Sequence, residues 1–224
     1  MVLDSFQQAR YIIGFKAYRK QTLLEEIELM ARIEPLNRED VPEMEQMFRV
    51  WDERMGYLPN ALMTMVRKPA MVKTLAALSQ AVHDDSSLPH GVRGLVGQMA
   101  SLAHGCQYCT AHNAANNERY GIEAEKIEKM WEFESSDLFS AAEKAAIRYA
   151  MAAASVPNAV DDALFADLRK HFNDTEIVEI QGIVSYYGWW NRWNDSFATK
   201  LEQHPLDYAN THLDKSNWQL GKHG

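Results

Sequence analysis

Cys106 and Cys109 are the two cysteines of this 224-residue chain, and His112 follows three residues after the second. Residues three apart on an α-helix are rotated by about 60°. A helix through Cys-x-x-Cys-x-x-His therefore gathers two thiols and an imidazole on roughly a third of one face. The thiolate is the reactive form of cysteine, and an ordinary pKa of ~8.5 leaves only a few per cent of it at neutral pH. Three features favour ionisation here. The unpaired N–H groups of a helix start carry partial positive charge beside Cys106. The His112 imidazole stands one turn from Cys109 and can take its proton. A second thiol can donate a hydrogen bond to its neighbour's thiolate. Such a thiolate attacks a peroxide oxygen and becomes a sulfenic acid; the other thiol condenses with it to a disulfide, which an external dithiol must reduce.

Two other uses of the same residues stay open. Free cysteines also pack as small hydrophobes, and a non-enzymatic helical assembly could use the pair as a redox sensor or structural element. Cys106, Cys109 and His112, with His104 as a fourth ligand, could instead bind zinc. Structural zinc usually takes two separated ligand pairs, and the sequence has no second Cys/His pair of that type. His104 by itself reads as a surface or packing residue.

The elements around the motif read as helices. Strand patterning is almost absent, and apolar residues recur at helical spacing. A first helix is expected over 3–33, with Ile12, Phe15 and Tyr18 on its half-apolar face. A second runs to about Met55, carrying Met44, Met47, Phe48 and Trp51. Short helical segments follow to Arg67 and from Pro69 through His83. A helix opened by Pro89 carries Val92, Val96 and Met99 and breaks at Gly105, so that the motif helix begins at or near Cys106 and ends at Gly121. Ile122 to Phe133 reads as one helix. Ser140 and Glu143 form a capping box for an Ala-rich helix to about Ala154. Asp161 to Phe172 is a short helix, and Asp174 is expected to cap the last long one. After Pro205 the tail is polar and loosely patterned. The expectation is an all-α chain with a helical N-terminal extension, 1–34, and one helical domain, 35–224.

Composition limits the rest. A net charge of −8 argues against nucleic acid or anionic membrane as partner. No apolar run approaches the ~20 residues of a membrane span, and Tyr11–Phe15 is too short and too flanked by charge for a signal peptide. A cytoplasmic protein is expected. No Gly-x-Gly-x-x-Gly or P-loop pattern is present, and no flavin or haem motif, so no cofactor is expected.

The stretch Ser101-x4-Cys106-x2-Cys109-x2-His112 resembles the carboxymuconolactone decarboxylase-like superfamily, in its alkylhydroperoxidase D-like, peroxidase-related branch. So do Gly56-Tyr57-Leu58-Pro59-Asn60, Asn173-Asp174-x-Glu176, Asn191-Arg192-Trp193-Asn194-Asp195 and Trp218-x2-Gly221-Lys222-His223; the likeness covers roughly 35–224. It implies an all-α bundle, assembled as a trimer, hexamer or dimer, with thiol-dependent peroxidase or disulfide-reductase activity and a thiol reductant as partner. It further implies Cys109 as the peroxidatic thiol and Cys106 as the resolving one. A helix start would instead favour Cys106 as the more acidic thiol; the reach of His112, the expected base, tips the choice to Cys109.

Two positions depart from the branch's pattern. Its relay glutamate, twelve residues before the first cysteine, is Gly94 here, and its histidine four residues after the second is Asn113. Gln98 could hydrogen-bond nearby but cannot act as a base. Trp189, Trp190 and Trp193 crowd one turn as core, as a wall for an apolar hydroperoxide or as a subunit contact, with Asn191, Arg192, Asn194 and Asp195 among them.

Overall fold

The computed structural model describes residues 31–84, 86–119, 121–213 and 218–224. Ten α-helices and no strand are found among them: α1 (Glu45–Met55), α2 (Asn60–Met65), α3 (Pro69–His83), α4 (His90–His104), α5 (Gln107–Arg119), α6 (Ala124–Glu128), α7 (Ala141–Ala154), α8 (Asp162–Leu168), α9 (Asp174–Phe197) and α10 (Gln203–His212). The expected helix over 3–33 lies outside the described residues except for 31–33, which are not helical. No helix among the described residues is long and apolar enough to cross a membrane.

Helix α4 is the hub. It packs against α7, α9 and α5, and α5 in turn packs against α10. Its buried stripe of Val92, Leu95, Val96 and Met99 meets Ala146, Ile147 and Ala150 of α7 and Ile180, Ile183 and Val184 of α9 in the main core. Full burial of each large apolar side chain contributes roughly 1.5–3 kcal/mol before the entropy of ordering it. Small residues set the spacing. A Cβ on Gly97 would stand 2.3 Å from the Tyr187 ring, so α4 and α9 approach each other over bare backbone. A second core cluster, Val41, Met44, Phe48, Leu62, Met63, Met65, Val66 and Val72, meets the main one through Trp190 and Trp193.

Three expectations are corrected. Asn173, not Asp174, caps α9: it is in extended conformation, accepts from the N–H groups of Thr175 and Glu176, and completes a capping box with Glu176. Ile122 to Phe133 is not one helix but α6 followed by a 3-10 turn at Met130–Glu132. The tail is not loose: α10 and a 3-10 turn at Gly221–His223 fold back on the start of α5, burying Leu213, Trp218 and His223.

Candidate active site

The motif is built by a sharp turn. Gly105 ends α4 in the left-handed region (φ 85°), where the Gly105 and Cys106 N–H groups both reach back to the Ser101 carbonyl. A side chain is disfavoured at that φ. Helix α5 starts at once, the Cys106 carbonyl accepting from the Thr110 N–H at 2.9 Å. Cys106 thus occupies the cap position, and its Sγ accepts from the Cys109 N–H at 3.4 Å, as a capping oxygen would. Both thiols are free. Cys106 is wholly buried, and that burial, with Cys109 beside it, pushes its thiol well above the ordinary value. Burial and the neighbouring Cys109 thus act against the acidic Cys106 that a helix start favours.

Cys109 lies in the wall of a cavity of about 230 Å³, together with His112, Trp51, Tyr186 and Trp190. Its Sγ accepts from Asn194 Nδ2 at 3.3 Å, and Asn194 Oδ1 has no partner. Asn194 belongs to a buried polar line along α9. Asn191 accepts from the Ser101 hydroxyl at 3.0 Å, and that hydroxyl accepts from Asn113 Nδ2 at 2.9 Å. Asn113 therefore braces α4 against α5. Gln98 donates to the Thr110 carbonyl at 3.3 Å. Of the three tryptophans, Trp190 lines the cavity, Trp193 packs on both core clusters, and Trp189 is exposed with its ring stacked on Trp193.

His112 shares the cavity wall with Cys109, but both its ring nitrogens face other groups. Nδ1 meets the Tyr57 hydroxyl at 3.2 Å, and Nε2 meets a Glu202 carboxylate oxygen at 2.5 Å. Burial pushes the Tyr57 hydroxyl up, with Glu202 adding to it, so Tyr57 keeps its proton and can donate to Nδ1 while Nε2–H donates to Glu202. The other Glu202 oxygen accepts from the Tyr108 hydroxyl at 2.8 Å and from the Asn60 N–H. Burial pushes Glu202 up, but His112, the Asn60 N–H and Tyr108 outweigh it and hold the carboxyl below the usual range. Glu202, which meets His112, Tyr108 and Asn60, is not among the residues that the sequence reading singles out. It stands 90 residues from His112, immediately before α10, and no local pattern marks it.

At Gly94, where the resembled branch has its glutamate, a side chain could enter only if its neighbours moved. A Cβ there would stand 2.4 Å from both Asn117 Oδ1 and Ile122 Cδ1.

Behind Cys109, the tail meets Cys106. The donor atoms of Cys106, Asp195 and His223 all lie within 4.8 Å of one another. His223 Nδ1 donates to the Thr199 carbonyl at 2.8 Å, which leaves Nε2 facing Asp195 Oδ1 at 3.3 Å. Lys222 also pairs with Asp195, at 3.2 Å. The candidate zinc set of Cys106, Cys109, His112 and His104 does not gather in this way among the described residues, because His112 is turned to Tyr57 and Glu202.

Residues 69–152 match the model of the carboxymuconolactone decarboxylase family, a span from α3 to α7 that includes both cysteines and His112. The uncharacterized protein YnjA of Escherichia coli is 32% identical over 111 residues, which is 50% of this chain and 61% of its own length. Among solved structures, the apo form of the debrominase Bmp8 is 28% identical, covering 82% of this chain and 96% of that one, with a TM-score of 0.74. A cysteine-to-alanine variant of Bmp8 bound to 2,3,4-tribromopyrrole matches similarly, at 27% identity over 80% of this chain and 96% of that one, with a TM-score of 0.75. ATU0492 of Agrobacterium tumefaciens, a protein of unknown function linked to AhpD-type antioxidant defence, is 26% identical, covering 62% of this chain and 94% of that one, with a TM-score of 0.58.

Proposed function

Since this chain belongs to the carboxymuconolactone decarboxylase-like superfamily, in its alkylhydroperoxidase D-like branch, we propose that it is a dithiol oxidoreductase that reduces hydroperoxides through Cys109 and Cys106. The observation that carries this reading is one thiol in a cavity wall with the second directly behind it, its sulfur bonded to the first one's backbone N–H. Cys109 gives its proton to the Tyr57–His112–Glu202 line, and its thiolate attacks the outer peroxide oxygen. The O–O bond breaks, and the leaving alkoxide takes a proton from the Tyr57–His112–Glu202 line. Cys109 is then a sulfenic acid. Cys106 gives its proton to His223, beside Asp195, and its thiolate attacks the Cys109 sulfur. The S–S bond forms, the S–O bond breaks, and the expelled hydroxide takes up one proton to leave as water, while His223 gives one back to the solvent and returns to its neutral form. An external dithiol returns the disulfide to two thiols, so one hydroperoxide becomes one alcohol and one water per dithiol oxidised. In this reading the protein works in the cytoplasm as a homo-oligomer.

The likeness to a debrominase over nearly that protein's full length, with an aromatic-lined cavity here, favours a second reading from the same residues. Cys109 sulfur takes the halogen from a halogenated aromatic ring, the ring carbon takes a proton, and Cys106 expels halide as the disulfide forms. Both readings need Cys109. Cys109→Ser should abolish turnover, and Cys106→Ser should stop after one event with a trappable sulfenic acid. Peroxide loss and halide release, measured on one preparation, separate the two. Unchanged turnover in Cys109→Ser would reject both.

A further inference from the structure

Resting on the reading of the cavity as the substrate site, we infer that it takes a small organic anion, with its apolar body against Trp51, Tyr186 and Trp190 and its oxyanion on Arg93. Arg93 lines the same cavity as Cys109 and is only 7% exposed. Its Nε has no hydrogen-bond partner, and its guanidinium forms no ion pair among the described residues. Several other described arginines have carboxylate partners, while Arg32, Arg67, Arg119 and Arg192 reach backbone carbonyls; Arg93 has neither kind of bond among the described residues. Arg54, also in the cavity wall, pairs with Asp84 at 2.9 Å. Arg38 pairs with Glu45 and Asp52, and Arg148 with Glu134 and Asp167. The chain has 31 acidic residues against 23 basic ones, yet none among the described residues pairs with Arg93.

Two physical costs attach to this placement. A buried charge is unfavourable unless paired. A cation in the first turn of a helix is opposed by the positive end of its dipole, and Arg93 is the fourth residue of α4. An anion bound in the cavity relieves both, because the helix start and the guanidinium attract it together. The planar guanidinium fork matches a carboxylate in particular. The same class fits either reading of the chemistry: a hydroperoxide or a halogenated aromatic, in each case carrying an acidic group.

The test is a binding titration on reduced protein with benzoate and its neutral isostere benzamide, read by fluorescence of the cavity tryptophans. Wild type should bind benzoate about tenfold or more tighter than benzamide. Arg93→Gln should keep benzamide binding, which reports an intact cavity, and lose the preference. Arg93→Lys should keep part of it, and decides the matter if Arg93→Gln binds neither compound. Equal binding in wild type, no binding of either, or a preference surviving in Arg93→Gln overturns the inference. The titration needs no thiol chemistry. A benzoate preference in protein that turns nothing over upholds the anion site and rejects the dithiol reading; turnover without the preference does the reverse.

Discussion

Glu202 is ionised in a buried place because it is surrounded by donors. His112 Nε2, the Tyr108 hydroxyl and the Asn60 N–H converge on its two oxygens. Its folded pKa lies below the ordinary 4.5, so the unfolded chain takes up this proton first as pH falls. Stability contributed by Glu202 is therefore complete above about pH 4.5 and is lost as pH drops through the folded value. Glu202→Gln should lower unfolding free energy by about 1–3 kcal/mol at pH 7, and the gap to wild type should narrow by pH 3. Urea unfolding of both proteins at the two pH values measures it; a gap independent of pH would show that the carboxylate is not ionised in the fold. Cys106, Cys109 and His112 were legible in the sequence, because a helix makes i, i+3 neighbours predictable. Glu202, Asp195 and His223 were not, since their nearness to the motif depends on how α9, α10 and the tail close over it.

At the scale of elements, α4 is packed so closely at position 94 that the residue of the resembled branch would displace its neighbours. A Cβ on Gly94 would strike Asn117, whose Nδ2 donates to the Gly94 carbonyl at 3.1 Å, and Ile122. Gly94→Glu should therefore destabilise the fold by about 1–3 kcal/mol through overpacking and should not raise turnover. The midpoint of urea unfolding and the steady-state rate check the two halves. A stable, faster Gly94→Glu protein would mean that α4 and α5 separate readily, against the close contact seen here. The helix-breaking role of Gly105 and the Ser140 capping box were readable, because both act within a few residues. The Asn173 cap was displaced by one position, since Asn and Asp side chains cap equally well and only the backbone conformation separates them.

Across the whole molecule, the C-terminal tail closes over the dithiol on the side of Cys106. Trp218 Nε1 donates to the Gln107 carbonyl at 3.1 Å, and the His223 carbonyl accepts from the Leu201 N–H at 2.9 Å. These contacts cover Cys106, which has no exposed surface. Removal of residues 218–224 should open Cys106 to iodoacetamide, raising its alkylation rate by about tenfold or more with a smaller change at Cys109. Mass spectrometry of the reduced, time-quenched protein reads both sites. Equal protection of Cys106 in the truncated chain would place its cover elsewhere.

By itself the sequence determined the helical class, the dithiol motif and the turn that presents it, because periodicity, capping and i, i+3 spacing are local and need no knowledge of distant segments. Only the tertiary structure decided which thiol faces the cavity, which carboxylate meets His112, what stands behind Cys106 and that Arg93 is buried with no partner for its Nε among the described residues. Those facts come from packing α9, α10 and the tail against α4 and α5. Burial and desolvation, which then set the reactivity of each group, depend on all of these neighbours together.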